Sequence, residues 1–107
     1  PGKEALDVFL ASGDGIPEEE VLKLLWSLRK EGVSADKDYL GRSLKAQMKF
    51  AGKAGARFVA ILGQDELARG TVALKNMATG SQIEVPATNF AGEVRRLLFG
   101  EDKQEKH

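Results

Sequence analysis

The 107-residue chain is neutral overall, with 16 basic and 16 acidic residues, and its 42% hydrophobic and 30% charged fractions suit one small globular domain. It contains no cysteine, and its one histidine is His107 at the last position, which excludes disulfides, thiolate metal sites and a His-based triad or metal centre. No apolar run approaches the roughly 18 residues that span a bilayer and no signal-peptide pattern opens the sequence, so a cytoplasmic protein without membrane contact is expected.

Residues 5–11 (ALDVFLA) are mostly apolar and predict an interior first strand, followed by a loop at 12–15 (SGDG). Pro17 suits the first helical position, and Glu18, Glu19 and Glu20 favour the positive end of that helix. Val21, Leu24, Leu25 and Leu28 form its apolar stripe, and Gly32 stops it. Trp26 falls outside the stripe and is expected to be boundary packing rather than a base-stacking platform.

Residues 33–38 (VSADKD) alternate and predict a half-buried edge strand. Residues 39–41 turn into a second helix, with Arg42 and Ser43 at its start and with Gly52 and Gly55 weakening its end. On that helix Leu44, Met48 and Ala51 share one arc, while Lys45, Lys49 and Lys53, four apart, form a basic stripe on the other. Gln47 lies within the apolar arc. Either it escapes the core by pointing at the strand edge, or it is a buried amide satisfied by backbone.

Residues 58–62 (FVAIL) are a continuous apolar run and predict a central strand. GQDELARG, 63–70, follows as a short turn or single helical turn. Strands at 71–76 and 82–85 are joined by the ATGS turn as a hairpin, and Asn89 is expected to cap a last helix carrying Val94, Leu97, Leu98 and Phe99. The domain is expected to run over residues 1–99, with a disordered polar tail at 100–107.

The order βαβαβ, then a hairpin and a helix, predicts an α/β sandwich with right-handed crossovers. In such sheets ligands gather beyond the carboxyl ends of the strands, near the point where strand order reverses. That rule selects the loops at 12–15, 38–42 and 63–69, with the start of the basic helix at the same edge.

The neutral total conceals a local imbalance. Between Gly41 and Gln64 stand Arg42, Lys45, Lys49, Lys53 and Arg57 with no acidic residue, so one face can attract a polyanion. Enzymatic chemistry is poorly provided for. There is no Walker loop and no G-x-G-x-x-G after the first strand. Asp14, Asp65 and Glu66 have no nucleophile, metal or oxyanion donor to work with. The polar inventory suits single-stranded RNA better. Arg42 and Lys45 can contact phosphate or the acceptor edge of guanine, Tyr39 offers a stacking face, and Asp65 and Glu66 can accept from guanine N1–H and its exocyclic amine.

Residues 41–82, GRSLKAQMKFAGKAGARFVAILGQDELARGTVALKNMATGSQ, closely resemble the C-terminal anticodon-binding domain of histidyl-tRNA synthetase, a class II aminoacyl-tRNA synthetase. The resemblance is carried by GRSLKAQ at 41–47, the KFA and GA spacing after it, ILG-x-DE at 61–66, ARG-x-V at 68–72, Lys75, and TG-x-Q at 79–82. It implies a three-layer sandwich with a five-stranded mixed sheet of order 2-1-3-4-5, strand 4 antiparallel, and three main helices. It also implies that the partner is the anticodon stem-loop of histidine tRNA, with neither DNA nor membrane involved. Lys45, Lys49 and Lys53 would then lie along the RNA backbone, and Tyr39, Arg42, Gln47 and Glu66 would read bases.

No class II catalytic motif and no histidine-binding signature is present. The resemblance therefore implies an excised, non-catalytic domain without a cofactor or metal of its own. ATP and magnesium would belong to the catalytic domain of a cytoplasmic homodimeric parent. Two features depart from the family: Gln64 stands where glutamate often follows ILG, and SGDG at 12–15 matches nothing. A synthetase-like regulatory subunit, or a protein-interaction module that does not bind tRNA, is the alternative.

Overall fold

The computed structural model describes residues 6–100. Five strands form one sheet in the order β2-β1-β3-β4-β5: β1 is Val8–Ser12, β2 Ala35–Lys37, β3 Phe58–Leu62, β4 Thr71–Asn76 and β5 Gln82–Pro86. β1 runs parallel to both β2 and β3, placing Val8 opposite Ala35 on one side and Phe58 on the other. β4 pairs antiparallel with β3 and with β5. The expected order and the antiparallel fourth strand are both present.

Helices cover both faces because of where β1 sits. β2 and β3 flank it on opposite sides, so two crossovers of the same hand carry their helices to opposite faces. Successive side chains of β1 accordingly serve two cores. Val8 and Leu10 pack with Val21, Leu24, Leu25 and Leu28 of helix α1 (Glu18–Lys30) and with Phe90 and Val94 of helix α4 (Phe90–Phe99). Phe9 and Ala11 pack on the other face with Ala51 of helix α2 (Leu44–Lys53), where Leu44 and Met48 join them. The result is three layers.

Element ends differ from expectation for local reasons. Pro17 is the residue before α1 rather than its first, and Gly32, at φ 82°, ends that helix in the left-handed region. The edge strand is only three residues long. Val33 is still part of the helix stop, its N–H donating to Leu28 O, and the Asp38 carboxylate turns away to grip Arg42. The segment at 63–70, expected as a short turn or single helical turn, forms a six-residue helix, α3 (Gln64–Arg69), beside the three main helices of the described residues. Asn89 makes no side-chain cap; it ends a single 3-10 turn, Ala87–Asn89, that leads into α4. Of the expected polar tail only Gly100 falls within the described residues, as does the expected first strand only from Leu6 onward.

Candidate nucleic-acid interface

The carboxyl ends of β1, β2 and β3 open at one edge, and tertiary hydrogen bonds bring their loops together. Gly13 N–H, just past β1, donates to Leu62 O at the end of β3 over 3.1 Å. Gln64 Nε2, at the start of α3, donates to Asp14 O over 3.1 Å. Gln47 of α2 holds the third side: its Oε1 accepts from Ser12 N–H at 2.9 Å, and its Nε2 donates to Ser12 O at 3.0 Å and Arg42 O at 2.7 Å. Gln47 is 3% exposed, so the backbone-satisfied reading holds and the base-reading one is corrected. Its amide meets backbone because an unpaired amide in that arc would face the core.

Within this frame lies a cleft of about 310 Å³, lined among others by Ser12, Asp14, Glu18, Lys37, Tyr39 and Arg42. Arg42 is held from three directions. Its backbone N–H donates to Asp38 Oδ2 at 2.8 Å, its Nε donates to Asp38 Oδ1 at 2.6 Å, and its guanidinium carbon lies 4.5 Å from the centre of the Phe50 ring. Neither terminal guanidinium nitrogen has a hydrogen-bond partner among the described residues. The Asp38 side chain is 5% exposed. Burial pushes its carboxyl pKa up, but the Arg42 backbone N–H and guanidinium outweigh that and hold it below the ordinary value.

Tyr39 is 63% exposed, as a stacking platform requires. One side of its ring is taken by Lys37 Nζ, 4.1 Å from the ring centre. Lys37 is the cleft-lining residue that sequence reasoning missed. It sits 7% exposed on the edge strand, donating to Asp38 O at 2.7 Å and pairing with Glu18 Oε2 at 2.9 Å. The alternation of residues 33–38 puts Lys37 on the same side as Ala35, and both are buried. That parity was the available signal.

Glu66 is also placed differently. Its Oε1 accepts from Gly63 N–H at 2.9 Å, the side-chain half of a capping box, while Oε2 lies 3.8 Å from Arg69. It does not line the cleft. The glycine before α3 has no side chain to cap with, and Oε1 of Glu66 reaches back to do so, which leaves Oε2 beside Arg69 rather than in the cleft. Asp65 is exposed in the first turn of the same helix.

The lysine stripe is where periodicity put it. Lys45, Lys49 and Lys53 are all exposed on α2, and none forms an ion pair or side-chain hydrogen bond among the described residues. Ser43 caps that helix by accepting from Ala46 N–H at 3.1 Å, so its positive end points toward the Arg42 edge. Trp26 is exposed on α1 beneath the Arg29 guanidinium, 5.5 Å away, and does not line the cleft. Among the described residues no three carboxylates or histidines converge as a metal site would require. The arrangement offers one flat aromatic ring, one anchored guanidinium and a run of unpaired ammonium groups.

A family model described as "Anticodon binding domain" matches residues 7–97. The histidine–tRNA ligase of Pelotomaculum thermopropionicum is 47% identical over 100 residues, 94% of this chain and 24% of the relative. That of Symbiobacterium thermophilum is 50% identical over 91 residues, 85% of this chain and 21% of the relative. Among solved structures, apo histidyl-tRNA synthetase from S. aureus superposes with a TM-score of 0.80 at 35% identity, covering 87% of this chain and 24% of that one. Histidyl-tRNA synthetase from Nostoc sp. PCC 7120 gives 0.77 at 31% identity, covering 88% and 22%. The chain thus spans about a quarter of the length of the relatives it matches.

Proposed function

The chain belongs to the anticodon-binding domain family, and from that premise we propose that it is the anticodon-recognition unit of a histidine–tRNA ligase. In this reading it holds the anticodon stem-loop of histidine tRNA. A catalytic domain carried elsewhere in the parent enzyme joins histidine to the tRNA, using ATP and magnesium. The domain needs neither for its own task. In this reading the parent is a cytoplasmic homodimer.

One observation carries the reading: the cleft with Arg42 and Tyr39 opens at the capped start of the helix that bears the unpaired lysines. A loop whose bases enter the cleft can then run its phosphates along α2. The lysines supply attraction that is insensitive to sequence, and the cleft supplies the discrimination.

The test is direct binding of an isolated anticodon stem-loop of histidine tRNA, compared with the same stem carrying a scrambled loop. Preference for the cognate loop is expected. Equal binding of both loops would leave only a basic surface, and binding of neither would favour a protein-interaction module.

A further inference from the structure

The cleft contains a carboxylate to which the sequence reading gave only a role at a helix start. Glu18 lies at the start of α1 with its side chain 65% exposed, and it lines the same cleft as Tyr39 and Arg42. Its Oε2 is fixed by Lys37, whereas Oε1 has no partner among the described residues. Lys37 is the hub of the arrangement. Its ammonium group, with three N–H donors, meets Asp38 O, Glu18 Oε2 and the face of the Tyr39 ring. With all three directions occupied and the side chain 5% exposed, it is a positioning residue rather than a phosphate contact. It orients an acceptor and a stacking ring toward one volume. Arg42, held by Asp38 and Phe50, brings unused guanidinium donors to that volume.

We propose that Glu18 and Arg42 together select a guanine base of the bound loop, with the base stacked on the open side of Tyr39. This rests on the reading of the chain as an anticodon binder. Guanine is the base whose N1–H and exocyclic amine form adjacent donors for one carboxylate, while O6 and N7 form adjacent acceptors for one guanidinium. Adenine presents an unprotonated N1 where the Glu18 carboxylate needs a donor, so two acceptors would meet. Arg42 is held by Asp38 and Phe50, and Glu18 is paired with Lys37, before the base arrives, which lowers the ordering cost of binding. Asp14 also lines the cleft, but no side-chain hydrogen bond or ion pair among the described residues holds its carboxylate. Glu66 is committed to its cap.

The experiment measures binding of histidine-tRNA anticodon hairpins carrying guanine, inosine or adenine at the first or the third anticodon position, one substitution at a time. Inosine removes only the exocyclic amine. At one of the two positions the unmodified chain is expected to prefer guanine to inosine about tenfold, and Glu18→Gln to reduce this below about threefold while leaving the salt dependence unchanged. Asp14→Asn and Glu66→Gln should keep the preference. Lys37→Met should lower it without weakening binding of a scrambled hairpin, and if that variant fails to fold, the exposed Glu18→Gln still decides the matter. The inference is overturned if Glu18→Gln retains the preference, or if Asp14→Asn or Glu66→Gln abolishes it. It fails alone if the chain prefers the cognate hairpin to a scrambled one yet does not distinguish guanine from inosine. If the chain prefers no hairpin at all, the anticodon reading falls and the inference with it.

Discussion

Gln47 and Ser12, 35 residues apart, exchange a reciprocal pair of hydrogen bonds: amide oxygen to backbone N–H, and amide nitrogen to backbone carbonyl. The side chain thereby mimics one more rung of sheet at the end of β1 and pins α2 to it. The third bond, to Arg42 O, closes the turn that presents the Arg42 guanidinium. One buried amide thus sets the distance between the basic helix and the first loop of the cleft.

Gln47→Leu should therefore be a stability variant. It leaves Ser12 N–H, Ser12 O and Arg42 O without their side-chain partner, and each buried unsatisfied group costs about 1–3 kcal/mol. Partial access of water to the cleft reduces the sum, so a loss of about 2–4 kcal/mol in denaturant unfolding is expected. RNA affinity should fall alike for cognate and altered loops. Unchanged stability with altered base preference would restore Gln47 as a reader.

Glu66→Ala removes the acceptor for Gly63 N–H and should cost about 1 kcal/mol, the usual worth of a helix cap. Base preference and salt dependence should be unaffected. The discriminating measurement is the ratio of binding to guanine and adenine loops. A collapsed ratio at unchanged stability would contradict the capping role.

Removing Lys45 and Lys49 together tests the stripe. Each phosphate contact on a single strand contributes a log–log salt slope of about −0.7, so the double variant should flatten the slope by roughly 1 to 1.5 units. Both side chains are exposed and unpaired among the described residues, so stability should change by less than about 0.5 kcal/mol. A slope that does not move would mean the lysines are only solvated.

Asp38 predicts an acid-sensitive component of stability. Its folded pKa lies below the ordinary 3.8, so the unfolded chain binds the proton more readily. The stabilisation is present above that ordinary value and is lost as pH falls through the lower, folded one. Unfolding midpoints for the unmodified chain should drop more steeply below about pH 4 than those of Asp38→Asn, which lacks the titrating group. Parallel curves would show that Asp38 and Arg42 contribute nothing through their pairing.

Gln64→Glu exchanges the amide that donates to Asp14 O for a carboxylate that cannot donate. Gln64 is exposed, so the change in stability should stay within about 0.5 kcal/mol. The loop at 12–15 should loosen, and backbone amide exchange at Gly15 and Ile16 should quicken. Unaltered exchange there would show that the Gly13–Leu62 bond alone holds the loop.

Much of this protein was legible along the chain because it depends on near neighbours. The apolar stripe of Val21, Leu24, Leu25 and Leu28 requires only helical periodicity, and all four are buried. FVAIL needs only its own apolar run, and β3 spans those five residues. Local spacing likewise placed the three lysines on one exposed face. Strand order came only with the family resemblance, whereas the βαβαβ pattern gave the sandwich and its switch-point rule pointed to the edge where the cleft lies.

What tertiary structure alone decided is which polar group each buried cleft side chain meets. Gln47 and Lys37 look alike from a distance, polar residues at buried positions, and sequence spacing does not say what faces them. For Gln47 it is a strand end brought over by the βαβ connection, so the amide becomes a staple. For Lys37 it is Glu18, 19 residues earlier on another element, so a strand lysine comes to hold a carboxylate and an exposed aromatic ring together. A buried polar group must be paired, which physics demands at any position. The identity of its partner depends on which distant segment the fold delivers, and that is a property of the assembled sheet.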